Sequence, residues 1–161
     1  MEAIKLFTDG SVDVKSGIGY GAFIALSEAG NIPDGFSSEV KVKRFENTSS
    51  TRLELETLLW ALKELGELKC KIVLYTDSRN ITGLHERRLR LEQKDYFSKN
   101  NRLIRNHDLY REFFKVFDLL NFELVKVKGH QPTRQKGEIH RLFTLVDRAS
   151  RNALRKEFSS L

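Results

Sequence analysis

Apolar and polar positions alternate through the first third of the chain in a pattern that suits extended backbone. Residues 3 to 8 ("AIKLFT") read as a strand, and "GIGYGAFIAL" (17 to 26) puts Ile18, Tyr20, Ala22, Ile24 and Leu26 on one side with mostly small residues on the other. "EVKVKRF" (39 to 45) sets Val40 and Val42 against Lys41 and Lys43, as in a half-exposed antiparallel strand. The period then changes to that of a helix, about 51 to 66. A continuous apolar strand (72 to 76), a basic helical region (about 79 to 119), a short strand "FELVKV" (122 to 127) and a last helix (about 139 to 157) follow. A three-strand meander followed by alternating helix and strand predicts an α/β fold: a five-stranded mixed sheet, three strands antiparallel and two parallel, with helices on both faces. The glycines of "GIGYG" lie inside a strand pattern, so they predict close backbone packing rather than a nucleotide loop. No repeat or low-complexity tract divides the sequence, and its prolines are Pro33 and Pro132, so residues 1–161 are expected to form a single domain.

Two of these strands run into an aspartate. "LFTDGS" (6 to 11) and "VLYTDS" (73 to 78) are each an apolar run that meets a polar tripeptide, at Asp9 and Asp77. Turn chemistry accounts for either one alone. Together they deliver two carboxylates to the carboxyl ends of neighbouring strands, the edge at which open α/β sheets bind ligands. In "TRLELETLLWALKEL", Glu54 leads the core-facing row of Leu58, Ala61, Leu62 and Leu65, whereas Glu56 falls near Lys63 on the side expected to be solvated. A place in the first helical turn explains an acid but not its choice of the apolar face, where a charge is costly unless paired or metal-bound. In the last helix Ile139, Leu142, Phe143, Val146, Ser150 and Ala153 form the apolar stripe. Asp147 lies along its edge, within reach of Arg148 and Arg151. Four carboxylates, each breaking its local pattern, point to one acidic cluster of the kind that a hard divalent cation such as Mg²⁺ relieves.

Charge adds a partner class. The chain carries 28 Lys and Arg against 22 Asp and Glu, a formal +6, which favours a polyanion. The excess is concentrated from Arg79 to Lys115, with ten cations against five acids. Tyr96, Phe97 and several asparagines are interleaved there, a mixture suited to phosphate and sugar contacts as well as to a solvated helix face. Cys70 is the only cysteine, so neither a disulfide nor a cysteine metal cluster is expected and a reducing cytoplasm is. "MEAIKLF" lacks the features of a signal peptide and no segment reaches transmembrane length, so no membrane association is expected.

The order of motifs resembles the type 1 ribonuclease H family. "TDGS" with Asp9 follows the first strand, "TRLEL" with Glu54 opens a helix, and "YTDS" with Asp77 follows the fourth strand. "VKGH" (127 to 130) follows the last strand, and "VDRASRNA" with Asp147 lies in the closing helix. The resemblance implies an RNase H-like fold and a monomeric endonuclease that hydrolyses the RNA strand of RNA–DNA hybrids with two Mg²⁺ ions, Mn²⁺ being a substitute. It implies Asp9, Glu54, Asp77 and Asp147 as metal ligands and His130 as a mobile aid to proton transfer or product release. It also implies Gly10, Ser11, Ser50, Thr51, Arg52 and Arg79 as nucleic-acid contacts, with Arg87, Arg88 and Arg90 from the basic segment. The chain has Ser50, Thr51 and Arg79 where family members often carry asparagine or glutamine, and Tyr96 and Phe97 stand in for the tryptophans common in the family's basic region. The segment between His130 and Asp147 reads as a long loop, and its Glu138 competes with Asp147 for the last ligand position. Two other classes remain open to a chain of this pattern: a nucleic-acid-binding module of the same fold with weak or lost catalysis, and a DNA-cleaving nuclease of the same superfamily.

Overall fold

The computed structural model describes residues 3–27, 39–66, 70–127 and 137–159. Five strands, β1 (Ile4–Asp13), β2 (Ile18–Ser27), β3 (Lys41–Phe45), β4 (Ile72–Thr76) and β5 (Phe122–Lys126), form one sheet in the order β3-β2-β1-β4-β5. β1 and β2 pair antiparallel, as do β2 and β3, whereas β4 runs parallel to both β1 and β5. The helices are α1 (Ser50–Leu65), α2 (Arg79–Thr82), α3 (Leu84–Gln93), α4 (His107–Leu119) and α5 (Glu138–Ser159). The expected mixed sheet with a helical layer on each face is the observed architecture.

Strand alternation explains the two layers. Ile4 and Leu6 of β1, Phe23 and Ala25 of β2, and Ile72 and Leu74 of β4 point to one face, where α1 and α4 cover them with Leu55, Leu58, Leu62, Phe113 and Phe114. Phe7, Ala22, Ile24 and Tyr75 point to the other, under Leu142, Phe143 and Val146 of α5. Phe7 and Tyr75 stack there with ring centroids 4.7 Å apart. Trp60 packs edge-on against Phe23 and Phe45, the packing role its helix position suggests.

The glycines of β1 and β2 let α1 approach. A Cβ on Gly21 would stand 2.1 Å from Thr57 Oγ1, and one on Gly10 or Gly19 would stand 2.8 Å from Leu53 Cδ2. The sheet surface beneath α1 is therefore bare backbone at these points, and the first two turns of the helix sit low over β1 and β2.

Three expectations need correction. β1 does not turn at Asp9: it continues to Asp13, because all ten of its residues pair with β2, and this pairing outweighs the turn preference of Asp-Gly-Ser. The basic region is not one helical stretch. It is broken at Gly83 and again between α3 and α4, where Asp95, Tyr96, Asn101 and Asn106 take positive φ. From Glu138 onward the segment before Asp147 is helical, as the last helix expected from about 139 already implied, and not part of a long loop. Nine residues of helix, about 14 Å, separate Glu138 from Asp147, so Glu138 cannot replace it. Among the described residues no helix is long and apolar enough to cross a membrane.

Candidate active site

Sheet register brings the two aspartates level. β1 pairs in parallel with β4 only from Ile4↔Ile72 to Phe7↔Tyr75. Two residues further along the same register, Asp9 stands opposite Asp77, where β4 has ended and the chain turns into α2. β1 thus projects beyond its parallel neighbour and leaves a notch at the sheet's edge. Asp9, Glu54 and Asp77 line it with Thr8, Thr57, Thr76 and Ile81. Asp9 shares the face of Phe7, under α5, and its carboxyl is hydrogen-bonded to that of Asp147. Glu54 reaches the notch from α1, whose N-terminal turns rest on the glycine surface described above.

The electrostatics are those of crowded acids. Burial pushes Asp9 up to about 8, helped by the hydrogen bond with Asp147 and by the charge of Asp77, and the Gly10 backbone N–H opposes the rise. Glu54 is also raised, first by burial and then by Asp77, against a lowering hydrogen bond from Ser78. Asp77 is at the surface, yet partial burial of its carboxyl raises it, with Asp147 adding repulsion and Arg151 easing it. In the metal-free site Asp9 therefore keeps a proton that a carboxyl in water would lose at neutral pH. Arg151 Nε meets Asp147 Oδ1 at 3.1 Å.

Among the described residues no three acids, histidines or cysteines are preset as a metal cage. The donor set nevertheless fits a hard divalent cation. It is oxygen only, it is partly desolvated, and its members destabilise one another's charge, a cost that a cation replacing the proton of Asp9 removes.

Ser78 is a participant that sequence reasoning did not single out. Its hydroxyl donates to Glu54 Oε2 at 2.5 Å and accepts from the Ile81 N–H at 3.1 Å, while its own N–H donates to Thr76 Oγ1 at 3.1 Å. One buried side chain thus caps α2 and holds Glu54. The signal was the serine of "YTDS" itself, a natural N-cap directly after a candidate ligand. Glu56 is not freely solvated as expected: it accepts from Thr48 Oγ1 at 2.5 Å and lies 3.9 Å from Arg52 Nε.

The expected nucleic-acid contacts divide into free and engaged groups. Gly10 lies under Leu53, and Ser11 Oγ is 3.2 Å from Ser150 Oγ of α5. Ser50 and Thr51 occupy the first turn of α1, after the cap that Ser49 provides. Arg52 is forked onto Asp108, at 3.3 and 3.0 Å, and bonds Asn106 Oδ1 at 3.3 Å. Arg79 and Arg90 are exposed. Arg87 donates to Asn80, through its backbone oxygen at 3.1 Å and its side chain at 2.6 Å. Arg88 clamps α3 to α4: it is bidentate on Asp118 at 2.6 and 2.7 Å, bonds Glu92 at 2.8 Å and covers the Phe114 ring. Tyr96 is only 6% exposed and belongs to the core, whereas Phe97 is 37% exposed and lines a basic hollow with Arg90, Lys94 and Lys99. His130 lies outside the described residues.

A mixed sheet in this strand order, with a long helix on one face and an acidic notch where a parallel strand stops, defines an RNase H-like nuclease architecture. The family model for RNase H matches residues 1–152, and the chain belongs to the type 1 ribonuclease H family. It is 33% identical over 131 residues to a ribonuclease HI of Helicobacter pylori, covering 81% of this chain and 82% of that one. It is 29% identical over 145 residues to a ribonuclease H of Caldanaerobacter subterraneus, covering 89% and 90%. Among solved structures, LC9-RNase H1, a type 1 RNase H with the type 2 active-site motif, superposes with a TM-score of 0.70 at 18% identity, over 94% of this chain and 72% of that one. The RNase H domain of PFV gives 0.69 at 12% identity, over 94% and 92%. A foamy viral protease-reverse transcriptase in complex with an RNA/DNA hybrid gives 0.68 at 9% identity, over 94% of this chain and 19% of that one.

Proposed function

We propose that the protein is a metal-dependent endonuclease that hydrolyses the RNA strand of RNA–DNA hybrids, with Asp9, Glu54, Asp77 and Asp147 as the ligands of two Mg²⁺ ions that Mn²⁺ can replace. The observation that carries this reading is the register that sets Asp9 level with Asp77 at the end of β4, where Glu54 and Asp147 join them from opposite helical layers. When bound, the ions would supply a nucleophilic water and stabilise the leaving oxygen of an in-line phosphodiester displacement. Asp9, buried and in contact with Asp147, would give up its proton on loading. Ser78 holds Glu54 in place through that exchange. Arg151 takes part of the charge of Asp147. His130, on the segment after β5, is assigned proton transfer near the water or release of product.

Residues 1–161 act in this reading as one monomeric domain, and the lone Cys70 fits a reducing cytoplasm. The test is a cleavage assay with each strand of a hybrid labelled in turn, beside double-stranded RNA, double-stranded DNA and single-stranded RNA. Internal cuts in the RNA strand of the hybrid alone, dependent on Mg²⁺, are expected. Cleavage of the DNA strand or of duplex DNA would make the protein a DNA nuclease of the same fold. Hybrid binding without cleavage would make it a binding module.

A further inference from the structure

One cation stands among the acids of the notch. Arg151 follows Asp147 by one turn of α5, and its Nε meets Asp147 Oδ1 at 3.1 Å. Asp147 is in turn hydrogen-bonded to Asp9, and the charge of Arg151 reaches Asp77, where it eases the repulsion between acids. Among the described residues no other Lys, Arg or His pairs with Asp9, Glu54, Asp77 or Asp147. In the metal-free protein the chain thus supplies its own counter-ion to the crowded carboxylates.

This pair is loosely held on one side only. An acid with a base four residues on is a common helix-surface arrangement, and it would be no more than that if the acid faced solvent. Asp147 does not: it is 28% exposed and bonded to Asp9, whereas the arginine side chain is 62% exposed. Among the described residues Arg151 forms no ion pair with any other acid. An exposed ion pair shifts an equilibrium by about fivefold at most, so little detains the guanidinium once Asp147 takes another partner. A guanidinium fork that fits a carboxylate also fits two oxygens of a phosphodiester.

We propose that Arg151 is a counter-ion shared between metal and substrate: it pairs with Asp147 in the metal-free protein, gives that carboxylate up on divalent-metal loading, and then holds a phosphate of the nucleic acid bound at the notch. This rests on the hybrid-nuclease reading. The arginine therefore acts with two opposite signs. Before nucleic acid binds, it competes for Asp147 and weakens metal binding. With nucleic acid present, the same charge tightens the hold on substrate. A residue that only kept Asp147 in position for metal would show neither sign reversed: its loss would weaken both.

The test compares Arg151→Gln and Arg151→Lys with a charge-matched control, Lys156→Gln, whose side chain is exposed and lies about 180° around α5 from Asp147. Mg²⁺ affinity is measured by calorimetric titration of the metal-free protein without nucleic acid. KM for a hybrid at saturating Mg²⁺ is measured across a range of salt, with Tm confirming folding. Arg151→Gln is expected to bind Mg²⁺ about two- to fivefold more tightly and to raise KM about tenfold. The slope of log KM against log salt should fall by up to about one unit. Arg151→Lys should restore most of both constants, and the control should change neither. Weaker Mg²⁺ binding by Arg151→Gln would make the arginine a support for Asp147 and overturn the proposal. So would a change in only one of the two constants or in neither, equal effects in the control, or no restoration by lysine. If the wild-type chain does not cleave hybrid, the nuclease reading fails separately. Dissociation constants for hybrid then replace KM, and the same two signs decide the role of Arg151.

Discussion

Asp9 holds a proton that a carboxyl in water would have lost. Its upward shift to about 8 means that ionising it is costly in the folded metal-free protein, so its contribution to stability is greatest below pH 3.8 and is lost as the pH rises towards 8. Asp9→Asn removes that dependence. In EDTA the variant should gain stability over wild type between pH 5 and pH 8, by roughly 1–3 kcal/mol, while hybrid cleavage falls by on the order of 10²-fold or more. Thermal melts of both proteins across that range check the sign, and a constant difference would contradict it. Ser78 gives a second test. Ser78→Ala should weaken Mg²⁺ binding by roughly 10–100-fold, Ser78→Thr should restore most of it, and Ser78→Ala should cost nothing more in a Glu54→Gln background. Additive losses in calorimetric titrations would mean that Ser78 only caps α2. Glu56→Gln should lower Tm modestly through its bonds to Thr48 and Arg52, without changing metal affinity.

The elements set where these residues stand. α1 can bring Glu54 to the notch only because β2 offers it glycine backbone. Gly21→Ala places a methyl against Thr57 and should cost about 1–3 kcal/mol by overpacking, with activity falling as Glu54 is lifted. Thr57→Ala in the same chain should recover much of both, as melts and initial rates would show; no recovery would mean that the strain lies elsewhere. Arg88→Gln should lower Tm by about a few degrees while leaving the salt dependence of hybrid binding unchanged, because its guanidinium is already held by Asp118 and Glu92. The strands and α1 could be read from the sequence because their burial is periodic and helices cover both sheet faces. Where β1 ends could not, since Asp-Gly-Ser has turn chemistry and only β2 decides otherwise. The breaks around α3 were hidden for the opposite reason: Asp95 and Tyr96 adopt left-handed backbone without a glycine to announce it. The acids of the notch were visible as violations of pattern, whereas the engagement of Arg52 and Arg88 depends on Asp108 and Asp118, which are remote in sequence.

On the scale of the molecule, the sheet separates two helical layers and its carboxyl edge gathers their acids. α1 contributes Glu54 from one side and α5 contributes Asp147 from the other, with Asp9 on β1 and Asp77 just past the end of β4 between them. Exposed positive charge stands on both sides, in the basic segment on the α1 side and at Arg141, Arg148 and Arg155 of α5. A net charge of +6 thus surrounds an acidic notch, which draws a polyanion to the protein but requires cations at the point of reaction. The central claim is that this notch exchanges the proton held by Asp9 for divalent metal. Calorimetric titration of the metal-free protein with Mg²⁺ at pH 7, in two buffers of different ionisation enthalpy, counts the protons released. Release of about one proton on binding, absent in Asp9→Asn, is the predicted result. Binding without proton release, or equal release by the variant, would contradict it.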